Sequence, residues 1–318
     1  MNDVLLEYVM KVNRFTPIPS PSTQRLHNVL AVVKQKTAEM SKTIIKVTNA
    51  SELAAITDTT APMSLIEGGL TSFFALPMDA LTLDSAAITN MSEFDYFTIL
   101  IDPAFGDEAL AGLTLPKGFD GVVGISSSDD SLIEEFVKKE NHCAFYQAEE
   151  TAGNNMFKAF GSLLAYKKNK WTNQQYIAMD YNDGVSSLDT ADDLFEIRAS
   201  FVLSSPEYGN RLAFFVCGGN AGAVAIAAPY IYQELITKLQ GSALTWLNLN
   251  EPDYTTAEAA LLENQLQKVI DKYIESGQIS AGSIAVTADQ DNFVMSAAAN
   301  VPQPKATWRI VSTMSEGE

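Results

Sequence analysis

The stretch Arg211–Leu249, RLAFFVCGGNAGAVAIAAPYIYQELITKLQGSALTWLNL, decides the fold class. Leu212–Cys217 is a continuous apolar run, with the length and aromatic content of a strand buried on both faces. Gly218 and Gly219 break it, Asn220 is placed to cap, and a helical pattern follows. Pro229 is expected to kink that helix, because a proline in a helix interior removes a hydrogen bond. Tyr232, Leu235, Ile236 and Leu239 recur at helical spacing, and Gly241 stands where a terminating glycine belongs. Ala243–Leu249 then reads as extended, with Trp246 inside it. A buried strand, a glycine turn, a helix and a second extended segment predict an α/β fold, a layered sheet with flanking helices.

Two other readings of this stretch fail on its residues. Leu212–Tyr232 carries no charge and reaches the roughly 20-residue length of a membrane span. Gly218, Gly219, Asn220 and Pro229 interrupt it, and its second half is alanine rather than leucine, so a strand-turn-helix is expected. The glycines invite a nucleotide-binding reading as well. Their spacing fits neither G-x-G-x-x-G nor G-x-x-x-x-G-K-[ST], and no lysine follows to reach a phosphate. Tight turns account for them.

Composition narrows the function classes. The 318 residues are 47% hydrophobic, enough for a sizeable core, and the net charge is −18. Such a surface repels phosphate backbones, so no nucleic-acid partner is expected. Cys143 and Cys217 cannot build a disulfide framework and suit a reducing compartment. Asp3 and Glu7 stand where a signal peptide needs positive charge, so export by that route is not expected.

Working outward, the two ends mirror each other. Val4, Leu6, Tyr8, Met10 and Val12 alternate with Glu7 and Lys11, a half-buried strand, and Pro17, Pro19 and Pro21 follow as an extended spacer. At the far end Pro302-Gln303-Pro304 precedes a second terminal strand, Thr307–Met314, carrying Trp308, Ile310, Val311 and Met314. Three parts are therefore expected: an arm and spacer over 1–21, an α/β core over 22–301, and an arm over 302–318. The core divides further into about 22–150 and 151–301.

Within the core, strands are expected at Arg25–Val33, Thr43–Thr48, Ala80–Leu83, Phe97–Ile101, Tyr176–Met179, Ser283–Thr287 and Asn292–Ser296. Asn49 or Ser51 caps a short helix, Pro62–Leu76 reads as a second helix, and Met156, Phe157, Phe160 and Leu164 stripe a third. A βαβ unit spans Val122–Ile125, a helix facing inward through Leu132, Ile133, Phe136 and Val137, and Cys143–Tyr146. The longest helix runs from Thr256 to Ser276, opened by a Thr255/Glu258 capping box and closed by Gly277. Leu262, Leu266, Val269, Ile270, Tyr273 and Ile274 form its apolar stripe; Glu263, Gln267, Lys268, Asp271, Lys272 and Glu275 form its wet face.

No catalytic set emerges. Neighbouring strand residues face opposite ways, so His142 and Cys143 cannot act as base and nucleophile. His27 lacks a ligand partner at metal spacing. Asp180-Tyr-Asn182-Asp183-Gly184 is one residue short of a calcium loop, and Ala191 stands where the bidentate glutamate belongs. The acid pairs Asp129-Asp130, Glu149-Glu150 and Asp192-Asp193 read as caps or solvated surface. No cofactor and no metal site are expected, and no enzymatic activity.

Four segments carry a resemblance to a known family: Thr43–Ile56 (TIIKVTNASELAAI), Leu65–Leu83 (LIEGGLTSFFALPMDALTL), Phe94–Pro103 (FDYFTILIDP), and Arg211–Asn250 with the helix after it. Their order is similar to that in the sheath protein of contractile bacteriophage tails and related injection machines. The chain is short for that family, which implies a core without the outer decorative domains. The resemblance implies a self-assembling subunit of a virion tail, put together in the host cytoplasm. It implies hexameric rings, stacked helically around a tail tube protein, that contract to drive the tube through the host envelope. Baseplate and tail terminator proteins are the further partners it implies, without direct membrane insertion. It also gives the arms a use as strands added to neighbouring subunits, through Val4, Leu6, Tyr8, Met10, Trp308, Ile310, Val311 and Met314. Lys268 and Lys272, on the long helix, are the expected tube contact. The alternative from another class is an α/β enzyme or nucleotide-binding protein whose site is assembled from loops.

Overall fold

The computed structural model describes residues 4–13, 24–83, 88, 94–147, 153–165, 176–179, 184–204, 211–218, 224–289 and 292–301. The fold is α/β, as expected, and the chain divides into two compact units. Strand β1 (Val4–Asn13) belongs with the C-terminal elements and is taken up with them.

The larger unit spans Arg25–Lys167 and Gln174–Ile226. Its centre is a sheet of β2 (Val29–Lys34), β3 (Ile45–Val47), β4 (Phe73–Met78), β5 (Thr98–Ile101), β6 (Val122–Ser127) and β7 (His142–Tyr146). The order is β3-β4-β2-β5-β6-β7, parallel throughout except for β3 at one edge. Alternate residues point to opposite faces, yet Leu30, Ala31, Val32 and Val33 are all buried, as are Ile99, Leu100 and Ile101. Both faces are therefore covered, which is what parallel sheets require.

Short helices alternate with these strands: α1 (Ala50–Ala54), α2 (Ser64–Gly68), α3 (Asp107–Ala111), α4 (Asp130–Phe136), α5 (Gly153–Leu164) and α6 (Leu188–Glu196). Asn49 caps α1 and Asp129 caps α4, each accepting two backbone N–H groups. β6, α4 and β7 form the expected parallel βαβ unit, with Ile133 and Phe136 buried. The stripe Met156, Phe157, Phe160 and Leu164 of α5 is buried as well.

Beyond β7 lies an antiparallel sheet of β8 (Tyr176–Met179), β9 (Phe201–Ser204) and β10 (Arg211–Phe214), in the order β8-β10-β9. Ser200 and Gly218 extend the outer edge of β7. Ser200 N–H donates to the Ala144 carbonyl at 2.8 Å and its own carbonyl accepts from Tyr146 N–H at 2.7 Å. Gly218 N–H donates to the His142 carbonyl at 2.8 Å.

Several expectations need correction. The run Leu212–Cys217 is two strands, β10 and β11 (Val216–Cys217), broken at Phe215, and β11 forms a hairpin with β12 (Val224–Ala225). Asn220 lies outside the described residues. The helix that follows, α7, spans Ala228–Asn250. Pro229 falls in its first turn, where the missing N–H costs nothing, so there is no kink there. Gly241 does not end it, and Ala243–Leu249 is helix rather than strand. The segment Pro62–Leu76 splits: α2 stops before Gly69, at φ 124°, and Phe73 onward joins the sheet as β4 beside β2. Ala80–Leu83 holds one isolated bridge, Thr82 to Thr114, instead of a strand. A 3-10 turn, Gln24–His27, takes the start of the segment expected as Arg25–Val33.

The smaller unit joins β1 to Ala227–Gln303. It holds α7, α8 (Thr256–Glu275), β13 (Ala281–Asp289) and β14 (Asn292–Val301), with the antiparallel sheet order β1-β14-β13. The Thr255/Glu258 capping box is present, and Gly277 follows the helix at φ 73°. Leu262, Leu266, Ile270 and Tyr273 of α8 are buried, as are Ile284, Val286, Phe293 and Met295 of the strands. Tyr254 meets Phe293 at a tilt and Trp246 meets it edge to face, with ring centroids 4.9 and 6.0 Å apart.

Candidate functional site

Two places in the fold can carry function: the edges of the three-stranded sheet, and the carboxyl end of the six-stranded one.

The terminal strand β1 pairs along its whole length with β14 of its own chain. The register sets Val4 opposite Val301, Leu6 opposite Ala299, Tyr8 opposite Ala297 and Met10 opposite Met295. Among the described residues, β1 and β13 are the edges of this sheet. An edge strand can offer unpaired backbone groups to a further strand, so whether each edge is open or covered decides where this unit can recruit another chain. Trp308, Ile310, Val311 and Met314 lie outside the described residues. Lys268 and Lys272 are exposed on α8 and form no ion pair among the described residues. Glu263 and Gln267, expected on the wet face with them, instead turn to the β13 backbone. Their spacing gave no hint of that, since an acid and an amide four residues apart look like any solvated face.

The parallel strands run in the order β4-β2-β5-β6-β7, so the chain leaves β2 toward β4 on one side and returns to β5 on the other. In open α/β sheets this reversal opens a crevice beyond the carboxyl ends of the strands. Asp102, one residue past β5, stands there and is only 1% exposed. Its Oδ1 accepts from Ala104 N–H at 3.1 Å and from Thr59 Oγ1 at 3.5 Å, capping the 3-10 turn Pro103–Phe105. Lys34, the last residue of β2, donates through Nζ to the Ala104 carbonyl at 3.4 Å, and its own carbonyl accepts from Thr57 Oγ1 at 2.6 Å. Burial pushes the Asp102 carboxyl above its ordinary range, against the pull of the Ala104 N–H, Thr59 and Lys34. The described carboxyl ends of the strands thus carry Asp102, stapled to the loops on either side, Lys34, and Asp107, which accepts from Ser127 Oγ at 2.7 Å at the end of β6. Among the described residues that arrangement fastens loops, since each of these groups bonds the backbone or a hydroxyl of a neighbouring segment.

The remaining candidates that are described make contacts within the fold. His142 Nδ1 lies 2.8 Å from the Glu140 carbonyl and its ring 4.6 Å from Phe136; burial lowers its pKa. Cys143 meets a different partner, Ser200 Oγ, at 3.4 Å. Ser200 also bonds both the N–H and the carbonyl of Val216, so one buried hydroxyl joins three chain segments. Burial pushes the Cys143 thiol up to about 12 and Cys217 well above its usual value. His27 Nδ1 sits 3.0 Å from the Leu164 carbonyl. Asp192 and Asp193 belong to α6. Asp180, Asn182, Asp183, Glu149 and Glu150 lie outside the described residues. Among the described residues no group of three His, Cys, Asp or Glu could hold a metal ion, and no helix is long and apolar enough to cross a membrane.

No family model matches this chain, and no curated protein matches it. Among solved structures, the fold is similar to that of a chain in the cryo-EM structure of the anti-feeding prophage (AFP) baseplate, 6-fold symmetrised. The likeness has a TM-score of 0.60 and covers 91% of this chain and 94% of that one, at 9% identity. It is a likeness of fold.

Proposed function

We propose that this chain is a structural subunit of a contractile tail machine, and within that class a sheath subunit. It polymerises as stacked hexameric rings around a tail tube and contracts to drive the tube through the host envelope. One observation carries the reading: a likeness that runs over 91% of this chain and 94% of a chain from a prophage baseplate, so that both α/β units are included. That particle is 6-fold symmetrised, which suits hexameric rings. The order of segments in the sequence, similar to that of tail sheaths, favours the sheath over other parts of such a machine. Its partners are then copies of itself, the tail tube protein, and baseplate and terminator proteins, in a virion tail assembled in the host cytoplasm.

The terminal segments fit this role. In the sheath reading, β1 and the segment 302–318 act as arms that add strands to neighbouring subunits, through Val4, Leu6, Tyr8, Met10, Trp308, Ile310, Val311 and Met314. A ten-residue strand pairing with its own chain and one pairing with a neighbour make the same backbone ladder, so exchange between copies costs little. Lys268 and Lys272 face the tube.

Electron microscopy of the purified protein tests the proposal. Tubes, or rings with six-fold symmetry, support it. Compact monomers at every concentration and salt tried would overturn it and favour the enzyme or nucleotide-binding alternative.

A further inference from the structure

Strand β13 is an edge strand that carries its own cover. The N–H groups of Ile284 and Val286 and the carbonyl of Gly282 are taken up by α8 rather than by β14. At this outer edge Val286 N–H donates to Glu263 Oε2 at 2.9 Å, and Ile284 N–H donates to Gln267 Oε1 at 3.2 Å. Gln267 Nε2 turns back to the Gly282 carbonyl at 3.4 Å and to Asp271 Oδ1 at 2.9 Å. Glu263 and Gln267 stand one helical turn apart on α8, at the spacing that puts both on one line along the helix. The helix can lie this close because Gly282 has no side chain: a Cβ there would sit 2.7 Å from Ile270 Cγ2. Two N–H groups and one carbonyl of β13 thus find partners on α8, part of the alternating donor and acceptor row that an added strand would meet.

We propose that Glu263 and Gln267 act as a substitute strand that closes the β13 edge, so that this sheet takes a strand from a second copy only at its β1 edge. The proposal rests on the assembly reading for its partner, a second copy of this chain, and on the hydrogen bonds alone for the closure. A sheet open at both edges adds strands at either side and in either direction, whereas one closed edge gives each subunit a single site of strand addition. A helix packed only on the face of β13 would leave its outward N–H groups open; side chains that reach over the rim occupy those of Ile284 and Val286.

Amide hydrogen exchange tests this, on dispersed protein and on assembled material. Ile284 and Val286 should be protected in the dispersed wild-type chain and gain nothing on assembly, while β1 gains protection. In the Glu263→Ala/Gln267→Ala variant, exchange at those two amides should quicken by about tenfold, the loss of one net hydrogen bond each. The Glu263→Gln variant keeps an acceptor oxygen and should keep Val286 protected, which separates hydrogen bonding from charge. Rapid exchange at Ile284 and Val286 in the wild-type chain, protection that survives the double substitution, or new protection there on assembly would each overturn the closure. If the wild-type chain never assembles, the sheath reading fails, while the dispersed measurements still decide whether Glu263 and Gln267 close this edge.

Discussion

A Cβ on Gly218 would overlap the carbonyl oxygen of Val137. The end of β11 runs directly against the residue that closes α4, and its N–H bonds His142 in the same place. This contact explains the glycine without a phosphate. Gly218→Ala should destabilise the fold by about 3 kcal/mol, the upper end for forcing extra atoms into a packed interior, because the obstacle is backbone. Urea denaturation measures it, and an unchanged midpoint would refute the close approach.

The two thiols should be inert in the native state. Cys143 and Cys217 are both 0% exposed, and burial holds both well above the range in which a thiolate forms near neutrality. Iodoacetamide at mildly alkaline pH should label neither until denaturant is added, then both, as read by mass spectrometry. Native-state labelling at either position contradicts the packing described here.

Thr255→Ala removes the side-chain half of the α8 capping box and should cost about 1 kcal/mol in a thermal or urea melt. Glu258, the other half, has its pKa lowered first of all by the Thr255 backbone N–H. A lowered folded-state pKa gives stability that is present above the unfolded value and lost as pH falls through the folded one. The advantage of the wild-type chain over Glu258→Ala should therefore shrink as the solution is made acid. A constant difference down to the lowest pH would mean that the carboxylate is not what caps the helix.

Asp102 works in the opposite sense. Its folded-state pKa is raised by burial, so its contribution is fully present below the unfolded carboxylate value and is lost as pH climbs through the raised one. Asp102→Asn keeps an oxygen for Ala104 N–H and cannot ionise, so its stability relative to wild type should rise across that window. Paired melts at several pH values would show this slope, and a flat difference would mean that the carboxyl is solvated after all.

The Lys268→Glu/Lys272→Glu double variant should melt within about 0.5 kcal/mol of the parent, since both side chains are exposed on α8. If α8 faces the tube, coating of tubes in vitro should fall, because exposed ion pairs of roughly 0–1 kcal/mol each act many times over along a polymer. Growth of sheath without tube should persist. Equal coating by the variant at moderate salt would place the tube contact elsewhere.

Features fixed by neighbours along the chain are legible in the residues alone. The start of α8 at Thr256 and the turn at Gly277 were legible because a capping box and a positive-φ glycine act within a few residues. The same holds for the β6-α4-β7 unit, where Asp129 caps and Ile133 and Phe136 repeat at helical spacing. Tertiary structure decided the rest. Phe73 and Phe74 continue the helical spacing of Leu65, Ile66 and Leu70, yet Phe73–Met78 is a strand because β2 and β3 supply backbone partners on both sides. Gly241 suggests a helix end, but the last turns of α7 carry Ala243, which is buried, and Trp246, which meets Phe293 edge to face, and that packing holds the helix through the glycine. The pairing of β1 with β14, the staple at Asp102 and the turn of Glu263 and Gln267 onto β13 join residues far apart in the chain. No local periodicity encodes such contacts, because their free energy exists only once folding has brought the partners together.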